Sequence, residues 1–251
     1  MQRRSFVLPA LLLATAIAAG ACGGSTPSLS DPREILTKAV AAMQKAKTVH
    51  LDATVDGTVN LDLLGTGQAN GLALTGTSLT ADIDIEAGNL RLDLAVPAML
   101  GLTAELIAVD GATYTKTSFT GEKFTKSDDT SADVPVDLDD PQASLKELED
   151  WLAKPDVDPK KLADAACGSK TCYQVEIDLS PEDIAALMPD AEDIGDASVV
   201  LTILVDKGTL LPASVDASVS SAELGDVTAS LDLSNWDAIL DIVAPPADQV
   251  E

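Results

Sequence analysis

The chain has 251 residues, with 16 Lys and Arg against 41 Asp and Glu, one His and three Cys. A formal charge of −25 repels phosphate backbones and excludes nucleic acid as a partner. A hydrophobic content of 46% is too high for an acidic disordered tail, and seven aromatic residues leave the core to Leu, Val, Ile and Ala.

Residues 1–21 read as an export signal. Arg3 and Arg4 form the charged start, Phe6 to Ala19 an apolar run too short to span a bilayer, and Ala19-Gly20-Ala21 a small-residue end. Loss of this leader takes two arginines and no acid, moving the charge from −25 to −27. The ending before Cys22 resembles a lipobox, with Ala19 standing where Leu is usual, so Cys22 is expected to be acylated and to become the mature N-terminus. Ordinary cleavage at Ala-x-Ala, with Cys22 a bystander, is the plainer alternative. Arg3-Arg4-Ser5-Phe6-Val7 resembles a twin-arginine signal without its usual polar flanks, which leaves that route and the general one both open. Residues 22–31 then form a lipidated, Gly/Ser/Pro-rich tether of about 30 Å at full stretch.

One domain is expected over 32–246, with 247–251 as a C-terminal tail. Asp31-Pro32 opens a helix whose Ile35, Leu36, Ala39, Val40 and Met43 share one face. The period then changes to two. Val49, Leu51, Ala53 and Val55 oppose His50, Asp52, Thr54 and Asp56, and the same alternation recurs at Ile83/Ile85 and at Leu90/Leu92/Leu94. The run Leu100 to Val109 is less one-sided, with Leu102, Ala104, Leu106 and Ala108 opposed by Thr103, Glu105, Ile107 and Val109, and Asp110-Gly111 is a hairpin turn before a strand carrying Tyr114 and Phe119. Ser127 to Asp140 is an acidic connector. Pro141 starts a helix with a Leu145, Leu148, Trp151, Leu152 stripe, and Lys160 to Ala166 is expected to add a helical turn or two. Tyr173, Val175, Ile177 and Leu179 make a strand, Ser180-Pro181-Glu182-Asp183 a capped helix start, and Val199 to Val205 a strand with two apolar faces. Val215/Ala217/Val219 and Val227/Ala229/Leu231/Leu233 complete the set. The fold class is therefore α+β: a curved antiparallel half-barrel sheet with helices packed on its concave face.

Chemistry-bearing patterns are sparse. Cys167 and Cys172 flank Gly168-Ser169-Lys170-Thr171, a loop that a disulfide can close, and they read as a staple. Two Cys and a distant His do not make a metal site. His50 has no Gly-x-Ser-x-Gly partner, no phosphate loop is present, and the Asp pairs at Asp82/Asp84 and Asp137/Asp139/Asp140 lack a calcium-loop pattern. No catalytic residue, metal or cofactor is expected. Composition alone favours a tightly packed core of small residues over an open cavity.

Taken in order, these stretches resemble the LppX/LprA/LprF/LprG family of mycobacterial and related lipoproteins. The likeness rests on Lys45-Ala46-Lys47-Thr48-Val49-His50, on Ala104 to Tyr114 with its Asp110-Gly111 turn, and on Tyr173 to Pro189. Leu231-Asp232-Leu233-Ser234-Asn235-Trp236 and Pro245-Pro246 complete it, so that it spans Ile35 to Pro246. The resemblance implies a half-open barrel whose hydrophobic cavity takes the acyl chains of an envelope lipid or glycolipid and carries them across the envelope. In some members this happens alongside a major-facilitator exporter. Cavity candidates are Leu102, Leu106, Ile107, Ile184, Leu187, Val200 and Leu204. The Cys167/Cys172 pair, the acidic connector and the strong negative charge depart from the family pattern, and the charge disfavours anionic headgroups nearby. The competing expectation is an acidic cell-surface interaction or sensing module with a packed core.

Overall fold

In a computed structural model, residues 28–59, 71–127, 141–187, 197–222 and 225–251 are described. The leader, Cys22, most of the tether and residues 128–140 of the acidic connector lie outside them.

Helix α1 (Pro32–Met43) begins as its sequence dictates. Asp31 is extended, and its carboxylate accepts from the N–H groups of Arg33 at 2.9 Å and Glu34 at 3.4 Å, while Pro32 supplies a first-turn residue that needs no partner. Its Ile35, Leu36, Ala39 and Val40 are buried. The remaining elements are β1 (Thr48–Val59), β2 (Leu72–Ala73), β3 (Thr77–Asp84), β4 (Asn89–Val96), β5 (Leu102–Val109), β6 (Ala112–Thr117) and β7 (Thr125–Ser127). After these come α2 (Pro141–Leu152), β8 (Lys160–Lys161), β9 (Ala165–Cys167), β10 (Lys170–Leu179) and α3 (Pro181–Leu187), then β11 (Ser198–Asp206), β12 (Pro212–Ser221) and β13 (Gly225–Ser234).

The thirteen described strands form one curved, open antiparallel sheet in the order β7-β6-β5-β4-β3-β1-β13-β12-β11-β10-β8, with β2 on β1 and β9 on β10. Two meanders meet at a seam where β1 pairs with β13, from His50 opposite Ser234 to Gly57 opposite Val227. The stretches Lys45–His50 and Leu231–Trp236 are the two sides of this seam. Asp237 ties them further, its carboxylate accepting from the Lys47 N–H at 2.8 Å and its N–H donating to the Thr48 carbonyl at 3.0 Å.

Helices α1, α2 and α3 cover only the β10–β11 side of the concave face. There Ile35, Val40, Trp151, Leu152, Val175, Ile177, Ile184 and Val205 form the main core. Arg33 fastens α1 to the end of α2 and the loop after it: its guanidinium donates to the carbonyl of Leu152, which a helix C-terminus leaves without an intrahelical partner, and to those of Lys154 and Val157 beyond the helix. Cys167 and Cys172 are joined by a disulfide with Cα atoms 5.9 Å apart, closing the β9–β10 hairpin.

Two local expectations are corrected. Lys160 to Ala166 holds two short strands, β8 and the start of β9, rather than a helical turn, because the open edge of β10 takes up its backbone: Lys161 pairs with Val175, Ala166 with Thr171, and Leu162 N–H donates to Gln174 O at 2.9 Å. Phe119 lies beyond the end of β6, in a turn held by Thr117 and Thr120, and is 64% exposed. At the C-terminus, Phe124 N–H donates to Gln249 O at 2.7 Å and Glu251 N–H to Phe124 O at 2.9 Å. Residues 247–251 are thereby stitched to the chain just before β7.

Candidate functional site

Antiparallel register assigns every strand residue to one of two faces, because paired residues share a face and neighbours along a strand alternate. One row across the sheet runs Ala104–Leu94–Leu79–Ala53–Leu231–Val215–Ile203–Val175. A second runs Leu106–Leu92–Ala81–Leu51–Leu233. A third runs through Leu102, Val96, Val55, Ala229, Ala217, Leu201 and Ile177. All three lie on the helix-covered, concave face, since Val175, Ile177, Val205 and their row partners pack under α1 to α3.

Among the described residues, the helices leave the middle of that face open. Leu51, Ala53, Val55, Leu79, Leu92, Leu94, Leu106, Val215, Ala217, Ala229 and Leu231 are each only half-buried. Side chains this apolar, aligned in rows over eight strands and incompletely covered, form a trough of aliphatic character. Along its seam the residues are small (Gly57, Ala53, Ala229, Ala217), which leaves depth between the leucine rows. On β6 the lining changes to Thr113, Thr115 and Thr117, a hydroxyl-bearing rim.

The convex face is the opposite in character. His50 sits between two carboxylates, its Nδ1 at 2.7 Å from Asp82 Oδ1 and its Nε2 at 3.1 Å from Asp52 Oδ2. The hydrogen bond to Asp82 holds the imidazole pKa above its ordinary value, against the opposing pull of partial burial. A hollow of about 570 Å³ on this side is lined by Ser78, Thr80, Asp93, Glu105, Lys116 and Glu122 among others, and such charges make it no slot for an acyl chain. Both ring nitrogens of His50 are thus engaged by carboxylates, Asp82 and Asp52.

The structure separates the cavity candidates read from the sequence. Leu102 and Leu106 lie on the concave face, and Ile184 of α3 is buried in the main core beside it. Ile107, Val200 and Leu204 project to the convex side. Ile107 pairs with Tyr114 and packs in a second small core with Val109, Phe124 and the C-terminal Ile242 and Val250. Val200 and Leu204 stand opposite Asp178 and Gln174, on the polar side of β10. The backbone of Leu187 closes α3, and its side chain lies outside the described residues. Sequence reasoning missed Leu79, Leu92, Leu94 and Leu231, although their alternation with Thr80, Asp93 and Asp232 already marks the inward parity.

Among the described residues, no group of three or more His, Cys, Asp or Glu is gathered as a metal site, and no helix is long and apolar enough to cross a membrane. No family model matches the sequence, and no curated protein matches it. Solved structures do. LppX, a lipoprotein of Mycobacterium tuberculosis, is 13% identical, with 85% of this chain and 100% of that chain covered at a TM-score of 0.54. LprF of Mycobacterium bovis is 17% identical, with 85% and 96% covered at 0.56. The chain thus has the fold of the mycobacterial proteins LppX and LprF, a single curved antiparallel sheet with a few helices on its concave side.

Proposed function

We propose that the chain is an envelope lipoprotein, anchored through an acylated Cys22, that holds the acyl chains of a lipid or glycolipid against its concave face and carries them through the envelope beside a membrane exporter. One observation carries this reading: the aliphatic rows from β5 to β11 remain half-exposed, although burial of such side chains is the main force that folds a protein. A packed interaction module would bury them. Leu102 and Leu106 line the trough in this reading, with Ile184 behind it.

The task demands no covalent step. Shielding a methylene from water contributes roughly 0.8 kcal/mol, so a sixteen-carbon tail gains on the order of 10 kcal/mol before ordering costs. The leucine rows supply that contact, and the small residues at the seam give the tail room.

Native mass spectrometry of protein purified from its own host tests the proposal. Bound species of discrete lipid mass are expected, and a bare polypeptide mass would sink the idea. Ala53→Trp, which fills the centre of the trough, is expected to reduce lipid occupancy at least tenfold while the circular dichroism spectrum is kept. Val200→Trp, on the convex side, is expected to leave occupancy unchanged.

A further inference from the structure

The β4–β5 connection is built against the usual rules of a soluble surface. Leu100 is 93% exposed and Met99 51% exposed, and Leu100 adopts φ +57, a left-handed conformation that a branched side chain takes at a cost. Nothing in the core repays that cost. The β6–β7 turn beside it exposes Phe119 at 64%. The two connections are neighbours: Ser118 N–H donates to Thr103 O at 2.9 Å, and Thr103 N–H donates to Ser118 Oγ at 3.1 Å. Met99, Leu100 and Phe119 therefore share one end of the sheet.

Charge singles out the same place. In a chain of charge −25, the eleven residues Leu94 to Ala104 carry none, and the neighbouring connection Ser118 to Phe124 holds Glu122 and Lys123, which sum to zero. Glu105, the nearest acid on β5, is paired with both Arg91 at 3.0 Å and Lys116 at 2.7 Å. This end of the molecule thus lacks the repulsion that the rest of the surface would exert on an anionic bilayer. It is also where the aliphatic face ends: Val96 and Leu102, paired across the hairpin just below the tip, belong to the inner rows.

We infer that the Met99-Leu100 tip, together with Phe119, inserts into the acyl–headgroup boundary of a phospholipid bilayer and brings the open end of the trough against it. An exposed apolar wedge on an end of the molecule without net negative charge, with Lys123 exposed in the same connection as Phe119, suits interfacial insertion. An acyl chain then passes from bilayer to trough along Val96 and Leu102. That passage rests on the lipid-carrying reading, whereas the docking does not.

The mature chain with Cys22→Ser, so that no anchor contributes, is mixed with vesicles of phosphatidylcholine and phosphatidylglycerol at three to one and separated by flotation. The unsubstituted surface is expected to float with the vesicles. Leu100→Asn with Phe119→Ser is expected to lower the bound fraction at least tenfold, and Asn tolerates the left-handed backbone, so the fold is kept. Ile239→Asn, which removes a side chain equally exposed but remote from the tip, is expected to bind as before. Floating of the tip variant at the original level, or failure of the unsubstituted surface to float, overturns the docking. Native mass spectrometry of the same preparations reports trough occupancy separately: lipid held by a protein that does not float refutes the docking and leaves the carrier reading standing. Floating without any held lipid supports the docking and counts against the carrier.

Discussion

His50 and Asp82 face each other across β1 and β3, with Asp52 on the same strand and Ser234 opposite on β13. The hydrogen bond to Asp82 raises the folded-state pKa of His50 above its unfolded value near 6.5. Its stabilising contribution is therefore complete below that value and is lost as pH rises through the raised one. Calorimetry should find the melting temperature of the native chain exceeding that of His50→Gln by more at pH 5.5 than at pH 8.5, and an equal gap at both would refute the coupling. The effect stays within about 1 kcal/mol, because both side chains are partly solvated. Asp206 titrates in the other direction. Burial pushes its carboxyl up, but Lys170 and the N–H groups of Gly208 and Thr209 outweigh this and hold it below the ordinary range. What Asp206 contributes is thus lost only as pH falls through that lowered value. One contribution is therefore complete in mild acid, and the other is lost only in stronger acid.

At the scale of elements, β1 and β13 approach so closely at the top of the seam that only glycine fits. A Cβ on Gly57 would lie 2.2 Å from Asp226 O, and one on Gly225 would lie 2.3 Å from Thr58 O, and both residues have positive φ. Gly57→Ala is expected to cost about 1–3 kcal/mol, visible as a lower urea midpoint with unchanged slope. The capped starts at Asp31-Pro32 and Ser180-Pro181, the Asp110-Gly111 turn and the alternation of β1, β4 and β10 were all legible in the sequence, because each is set by local stereochemistry. The faces of β5 and β11 were less legible, since Ile107, Val109, Val200 and Leu204 are apolar on the outward side, where only Thr103, Glu105 and Thr202 mark the parity. Pairing with Arg91 and Asp93 on one neighbour, and with Gln174 and Asp178 on another, settles which side of each strand faces inward. Likewise Lys160 and Lys161 join the sheet because β10 offers them an edge, a fact of tertiary structure that helix propensity does not contain.

Across the whole molecule, polar and apolar faces are segregated over nearly the full width of the sheet, and the helices cover one side of one face only. That division explains how a chain of charge −25 can keep a trough of leucines: the acids crowd the convex side and the connections, where water solvates them. The sheet's centre is its most distant pairing in sequence. Deleting residues 225–251 would bare one flank of β1 from His50 to Gly57 and one flank of β12 from Ser214 to Ser221, leaving two long edges of the kind that templates aggregation. Such a truncation is expected to show no cooperative melting transition and to scatter light within minutes of dilution from denaturant.

The order of strands also dictates when the molecule can close. Its second strand-forming neighbour for β1 is the last strand to leave the ribosome, so β1 waits with one flank bare until some 170 residues have followed it. A pairing this distant in sequence slows folding, because a long loop must be closed before the β1–β13 contacts repay its cost.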